Sequence, residues 1–226
     1  MIALLAVSGA LAQQTCVDPL SRIQLGAALG RIGDELAVSE LVEAREQLDL
    51  LYEKLPCLDE VIDPKLFALF ARYDALVFFF GQEDDEALRW GLAARFAAPD
   101  LPWDAALFPP DNRVRRMVEQ APQSAPMPLE GKVFDVPHGG GAFVNGLFAP
   151  EAEGHPDIPV LIQRFDRNGQ RIDASWQDGA HLPTALLVSR SEPTPIPTWW
   201  SGPGATGTTS GRAPLTAGTA PAPRPP

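Results

Sequence analysis

Long apolar runs, cysteine, histidine and positive charge are all in short supply in this chain. No apolar stretch reaches the roughly 18 to 20 residues that a membrane-spanning helix needs, which excludes an integral helical membrane protein. Asp and Glu number 29 against 18 Lys and Arg, and the net charge of −11 argues against nucleic-acid phosphates and anionic lipid as partners. Two cysteines and three histidines, none at metal-ligand spacing, give no structural zinc motif, and no motif implies a cofactor. Apolar material is ample: 45% of the 226 residues are hydrophobic, enough for a packed core in one large domain or two small ones.

Met1 to Ala12 reads MIALLAVSGALA and ends in Ala10-Leu11-Ala12, the small-x-small pattern of a signal-peptidase site. Residues 1–12 therefore read as a signal peptide, and the mature protein as periplasmic or secreted. The stretch is short and has no basic n-region; a start codon placed too late accounts for both, and a buried N-terminal helix is the alternative. An even number of cysteines suits an oxidising compartment. Cys16 follows the cleavage site and Cys57 follows a predicted helix. A bridge between them is expected, closing a loop of about 40 residues and contributing roughly 4 kcal/mol on the chain-entropy account. Two separate buried thiols are the alternative.

Helical periodicity fills residues 16–122. Leu20, Ile23, Leu25, Leu29, Ile32 and Leu36 mark a first helix. Ser39 reads as the N-cap of a second, with Leu41, Val42, Ala44, Leu48, Leu51 and Leu55, stopped by Pro56. Asp63-Pro64 opens a third that runs to Gly81, and Asp84 and Asp85 open a fourth that ends before Pro99. A short fifth covers Asn112 to Gln120. Ala44 to Pro56 and Ala87 to Pro99 repeat the same interval. With Gly81, Ala87, Ala94 and Pro99 at the corresponding places, this stretch resembles the tetratricopeptide class of helical hairpins, which implies an all-α hairpin array. An ordinary helical bundle is the alternative.

After a proline-rich transition the period changes to two over residues 128–190. Gly131 to Val136 alternates. Ala142 to Ala149 forms a hairpin about Asn145-Gly146, a dipeptide suited to positive φ at both central positions. Ile158 to Trp176 forms a second about Asn168-Gly169, and His181 to Ser189 supplies a last strand. The fold class is therefore α+β, with a small β-sandwich following the helices. Phe143-Val144-Asn145-Gly146, Pro156 to Gln163 and Asp178 to Pro183 resemble the PEGA-like β-domains of bacterial envelope proteins. The combination resembles exported proteins of myxobacteria and their relatives, which implies surface or periplasmic binding and assembly and no reaction. Residues 191–226, rich in Pro, Gly and Thr, read as a disordered tail. Within it Trp199-Trp200 either anchors a partner or folds back over the chain's own β-module.

Candidate chemistry is thin. His138-Gly139-Gly140-Gly141 matches the oxyanion loop of lipases, but that fold needs a G-x-S-x-G elbow and none occurs, so a glycine turn is expected. His138, His155 and His181 are too far apart in sequence to pair locally, and no metal site is expected. Glu83 to Glu86 complements a helix dipole. Phe78, Phe79 and Phe80 cannot all face one core, because consecutive helical residues point about 100° apart. They and Trp199 and Trp200 are the candidate partner-binding residues. The expected function is non-enzymatic: an envelope scaffold acting through protein–protein binding or self-association. A carbohydrate- or peptidoglycan-binding module using Trp176, Trp199 and Trp200 is the alternative, and a hydrolase with dispersed residues the third.

Overall fold

The computed structural model describes residues 16, 18–122, 125–190 and 192–202. The expected signal peptide lies outside them. Five helices come first: α1 (Arg22–Ala37), α2 (Leu41–Lys54), α3 (Pro64–Phe80), α4 (Asp84–Ala97) and α5 (Arg113–Gln120). Eight short strands follow: β1 (Met127–Pro128), β2 (Lys132–Phe134), β3 (Gly141–Val144), β4 (Leu147–Phe148), β5 (Glu153–Gly154), β6 (Pro159–Phe165), β7 (Arg171–Asp178) and β8 (Leu187–Ser189). The protein is thus mixed, with helices in its N-terminal half and small antiparallel sheets in its C-terminal half. Among the described residues no helix is long and apolar enough to cross a membrane.

Local chemistry sets most helix ends. Ser21 and Gln24 form a reciprocal capping box at the start of α1, with the Gln24 amide donating to Ser21 Oγ and the Ser21 amide to Gln24 Oε1. Asp63 Oδ1 accepts the Lys65 amide at 2.8 Å, with Pro64 in the first position of α3. Ser39 does not cap α2. It adopts φ 65° and its amide closes α1 on the Leu36 carbonyl, so Glu40 becomes the N-cap without a side-chain bond. Only three residues join α1 to α2, and one left-handed residue must reverse the chain there; it cannot also hold the extended geometry of a cap. α3 touches the other four helices and is buried nearly all round, from Phe67 through Val77, until its last turn emerges.

The main sheet has the order β4-β3-β6-β7, all antiparallel, with Phe143 opposite Gln163 and Leu161 opposite Trp176. Two short antiparallel ladders, β1–β5 and β2–β8, form separate sheets. Asn145 at φ 52° and Gly146 at φ 84° make the tight turn between β3 and β4. The strand expected over 181–189 is reduced to Leu187–Ser189, because Pro183 caps a 3₁₀ turn at Thr184–Leu186.

One hydrophobic cluster contains Leu25, Phe70 and Trp90 from the helices together with Val144, Val160 and Ile162 from the strands. The change of period near residues 122–128 is therefore a change of secondary structure across which the core continues. The seam is the α2–α3 connection. Gln163, fully buried on β6, accepts the Ile62 amide at 2.9 Å and donates to the Glu60 carbonyl at 3.1 Å. Arg171 donates to the Pro56 carbonyl. Gly146 lies so close that a Cβ there would sit 2.3 Å from the Ile62 carbonyl oxygen. The Cys16–Cys57 disulfide is present, with Cα atoms 5.5 Å apart, and holds the N-terminal segment to the same connection. The Leu20 amide reinforces it with a bond to the Cys57 carbonyl.

Residues 192–202, expected to belong to a disordered tail, are seated along the sheet. The Thr194 amide donates to the Pro150 carbonyl at 2.7 Å, and Trp199 and Trp200 join Phe143, Phe165, Phe148 and Val61 in a second apolar cluster. The two indoles offset part of the entropy of ordering this stretch. Residues 203–226 of the expected tail lie outside the described residues.

Candidate functional site

A cleft of about 450 Å³ opens where α2, α3 and α4 meet the end of β7. α2 contributes Asp49 and Tyr52, one turn apart. α3 contributes Asp74 and Phe78, α4 contributes Glu86, Arg89 and Trp90, and the sheet contributes Pro159 and Trp176 to Asp178. Helical spacing of three or four residues puts each group from one helix on one face, so the cleft gathers its side chains from regular elements.

The wall is aromatic. Tyr52 and Trp176 stack with ring centroids 4.7 Å apart and an interplanar angle of 3°, and Trp90 meets Trp176 edge-on at 5.5 Å and Tyr52 at 6.1 Å. The Trp176 indole N–H donates to the Tyr52 carbonyl at 2.8 Å, which fixes the strand end to α2. Trp176 is thus wedged between sheet and helices, with Phe67 and Phe70 beyond it, and is not a free platform on an open sheet face.

The floor is acidic. Asp74 is only 6% exposed and has no hydrogen bond or ion pair with any described residue. Burial, which disfavours the charged form, raises its carboxyl to a pKa of about 7; Asp49 and Glu86 add to the rise and Arg45 opposes it. Tyr52 is likewise raised, first by burial and then by the charge of Asp74. The guanidinium groups nearby are engaged elsewhere. Arg45 pairs with Asp49 at 3.2 Å and lies 4.6 Å over the Phe78 ring, and Arg89 pairs with Glu86 at 2.9 Å and reaches Asp178 at 3.8 Å.

The sequence did not single out Asp74. Its signal was the one carboxylate in a helix made mostly of Phe, Leu, Ala and Val. Of the three candidate phenylalanines, Phe78 is half-buried at the cleft and Phe79 is half-buried with Arg113 5.7 Å from its ring centroid. Phe80 is 53% exposed. The run therefore does carry more apolar surface than the helix hides. Trp199 and Trp200 do not line this cleft; they belong to the second apolar cluster, packed against Phe143 and Phe165, and neither buried indole N–H finds a partner among the described residues.

The glycine run after His138 is a turn. A Cβ at Gly140 would stand 2.3 Å from the Phe165 carbonyl oxygen, so close backbone approach requires glycine there. His138 is exposed, and His181 sits on an exposed turn with Nδ1 3.2 Å from Asp178 Oδ2. No group of three or more His, Cys, Asp or Glu able to hold a metal occurs among the described residues.

His155 is 6% exposed, with its ring 4.4 Å from that of Phe96, and burial lowers its pKa to about 4. The native state then binds fewer protons than the unfolded chain between pH 6.5 and 4, so stability present above pH 6.5 is lost as the pH falls through that window. Asp74 acts in the opposite sense: its native pKa lies above the unfolded one, so stability is gained as the pH falls from 7 toward 4. In His155→Leu, urea denaturation between pH 7 and 4 should lose a downward acid slope of about 2 kcal/mol. An unchanged slope would show that the imidazole is solvated.

No family model, curated protein or solved structure matches this chain.

Proposed function

We propose that this chain is a non-enzymatic protein of the bacterial envelope, periplasmic or secreted, that acts as a scaffold or assembly factor by binding another protein. The reading takes the helical half as tetratricopeptide-like hairpins and the β-half as PEGA-like. The disulfide supports an oxidising compartment. The observation that carries the binding function is Phe80, a large aromatic side chain left 53% exposed at the end of an otherwise buried helix. Beside it, Glu83, Asp84, Asp85 and Glu86 open α4, and the chain carries a net charge of −11. An apolar anchor with an acidic rim suits a partner that presents an apolar pocket bordered by Lys or Arg.

Phe80→Glu tests the reading. At a half-exposed position it should leave the melting temperature within about 2 °C. Crosslinking in the native envelope followed by mass spectrometry should show the wild-type partner lost, and sedimentation should show any self-association weakened at least tenfold. A variant that captures the same partner and assembles as the wild type does would end the proposal.

A further inference from the structure

We infer that the cleft between α2, α3, α4 and the end of β7 is a binding site for an alkylammonium group, borne by a free amine or by a lysine side chain. The inference stands apart from the Phe80 surface, and its test needs no protein partner.

Asp74 carries the argument. A carboxylate 6% exposed, lining a cleft and without a hydrogen bond or ion pair to any described residue, is costly in its charged form unless something brings it a positive charge. Among the described residues Arg45 acts on Asp74 only through its charge, and none forms an ion pair with it. Arg45 is held by Asp49 and the Phe78 ring, and Arg89 by Glu86 and Asp178. The carboxylates lining the cleft outnumber the guanidinium groups beside it, and Asp74 is the one left over. Tyr52, Trp90 and Trp176 line the same cleft in mutual contact, with Trp90 buried, one face of Trp176 covered by the Tyr52 ring, and Tyr52 itself exposed. Aromatic faces attract cations and also cover an alkyl stem. A space of about 450 Å³ admits an ammonium group with its chain. A neutral sugar would stack on the rings and leave Asp74 uncompensated.

Binding of this kind is coupled to a proton. The groups that act on Asp74 are Arg45 and Asp49 of α2 and Glu86 of α4, with Arg89 of α4 and Asp178 of β7 also lining the cleft. Asp34 of α1 acts on Tyr73, and Arg115 of α5 on Arg72, on other faces of α3. With its pKa raised to about 7, Asp74 holds a proton below neutrality and must release it to meet a cation. Affinity for an ammonium group therefore rises as the pH passes upward through 7.

Calorimetric titration of the full chain at pH 6 and pH 8 tests this, with cadaverine, Nα-acetyl-lysine methylamide and 1,5-pentanediol as probes and the Trp176 indole N–H resonance followed in parallel. The two amines should bind and shift that resonance, the diol should not, and amine affinity should rise about fivefold or more from pH 6 to pH 8. Tighter binding of cadaverine identifies a free amine as the source, and tighter binding of the blocked lysine identifies a side chain. Asp74→Asn should weaken amine binding at least tenfold and abolish its pH dependence. Tyr52→Leu, at a position 39% exposed, should weaken it at least threefold and serves if Asp74→Asn does not fold. Equal binding of the diol, or wild-type affinity in the folded variant tested, overturns the inference.

Discussion

Replacing Cys16 and Cys57 together by alanine is expected to lower the unfolding free energy by about 4 kcal/mol, and the melting temperature by about 10 °C. The bridge joins residues 41 apart in sequence, and the loop it closes contains all of α1 and α2. The bond from the Leu20 amide to the Cys57 carbonyl, and the bridge of Leu20 to Leu58, keep the native segment in place without it. Most of the loss therefore falls on the unfolded chain, which becomes larger when the loop is opened. Urea denaturation should show a lower midpoint together with a steeper slope, since the expanded chain exposes more surface. A loss below about 1 kcal/mol would mean that the unfolded chain is already compact around this loop.

Gln163→Leu is expected to cost about 3 kcal/mol. The side chain is fully buried and satisfies two backbone groups of the α2–α3 connection, the Ile62 amide and the Glu60 carbonyl. Leucine fills similar space and satisfies neither. Each buried group left without a partner costs about 1 to 3 kcal/mol, more than the net value of the bond itself. Equilibrium unfolding measures the total. Hydrogen exchange measures its location: protection of the Ile62 amide should fall by more than the global change, because the seam opens first. Uniform loss of protection across α3 and β6 would show that the two halves separate only on complete unfolding.

Of these two contacts the sequence shows the disulfide and conceals the Gln163 seam, and the reason for the concealment is range. Asp63-Pro64, Gly81 and Asn145-Gly146 were legible because each acts on its immediate neighbours: a cap, a stop, a turn with positive φ. The cysteine pair was legible because only two are present. Gln163 is a polar residue next to Arg164 near the end of a strand and looks like any solvent-facing side chain, yet its partners are 101 and 103 residues away. Trp176 looked like a sheet platform for the same reason; the tyrosine that stacks on it belongs to α2. Residues 192–202 have the composition of a disordered segment, and only the presence of Phe143 and Phe165 at the right place gives Trp199 and Trp200 somewhere to lie. Asp74 is intermediate. Its position in an apolar helix was visible, and its missing counter-charge was not.

The Gln163 and Trp176 contacts also bear on the order in which the polypeptide is made. Synthesis runs from the N-terminus, and the helices are complete on the nascent chain by residue 120. They cannot close their core then. The carbonyl of Tyr52, the amide of Ile62 and the faces of Phe67 and Phe70 wait for strands that are still inside the ribosome. At about 5 to 20 residues per second, the 56 residues from Gln120 to Trp176 keep that surface open for seconds, against microseconds for the helices themselves. For that interval the first half of the protein exposes apolar surface that its own strands later cover.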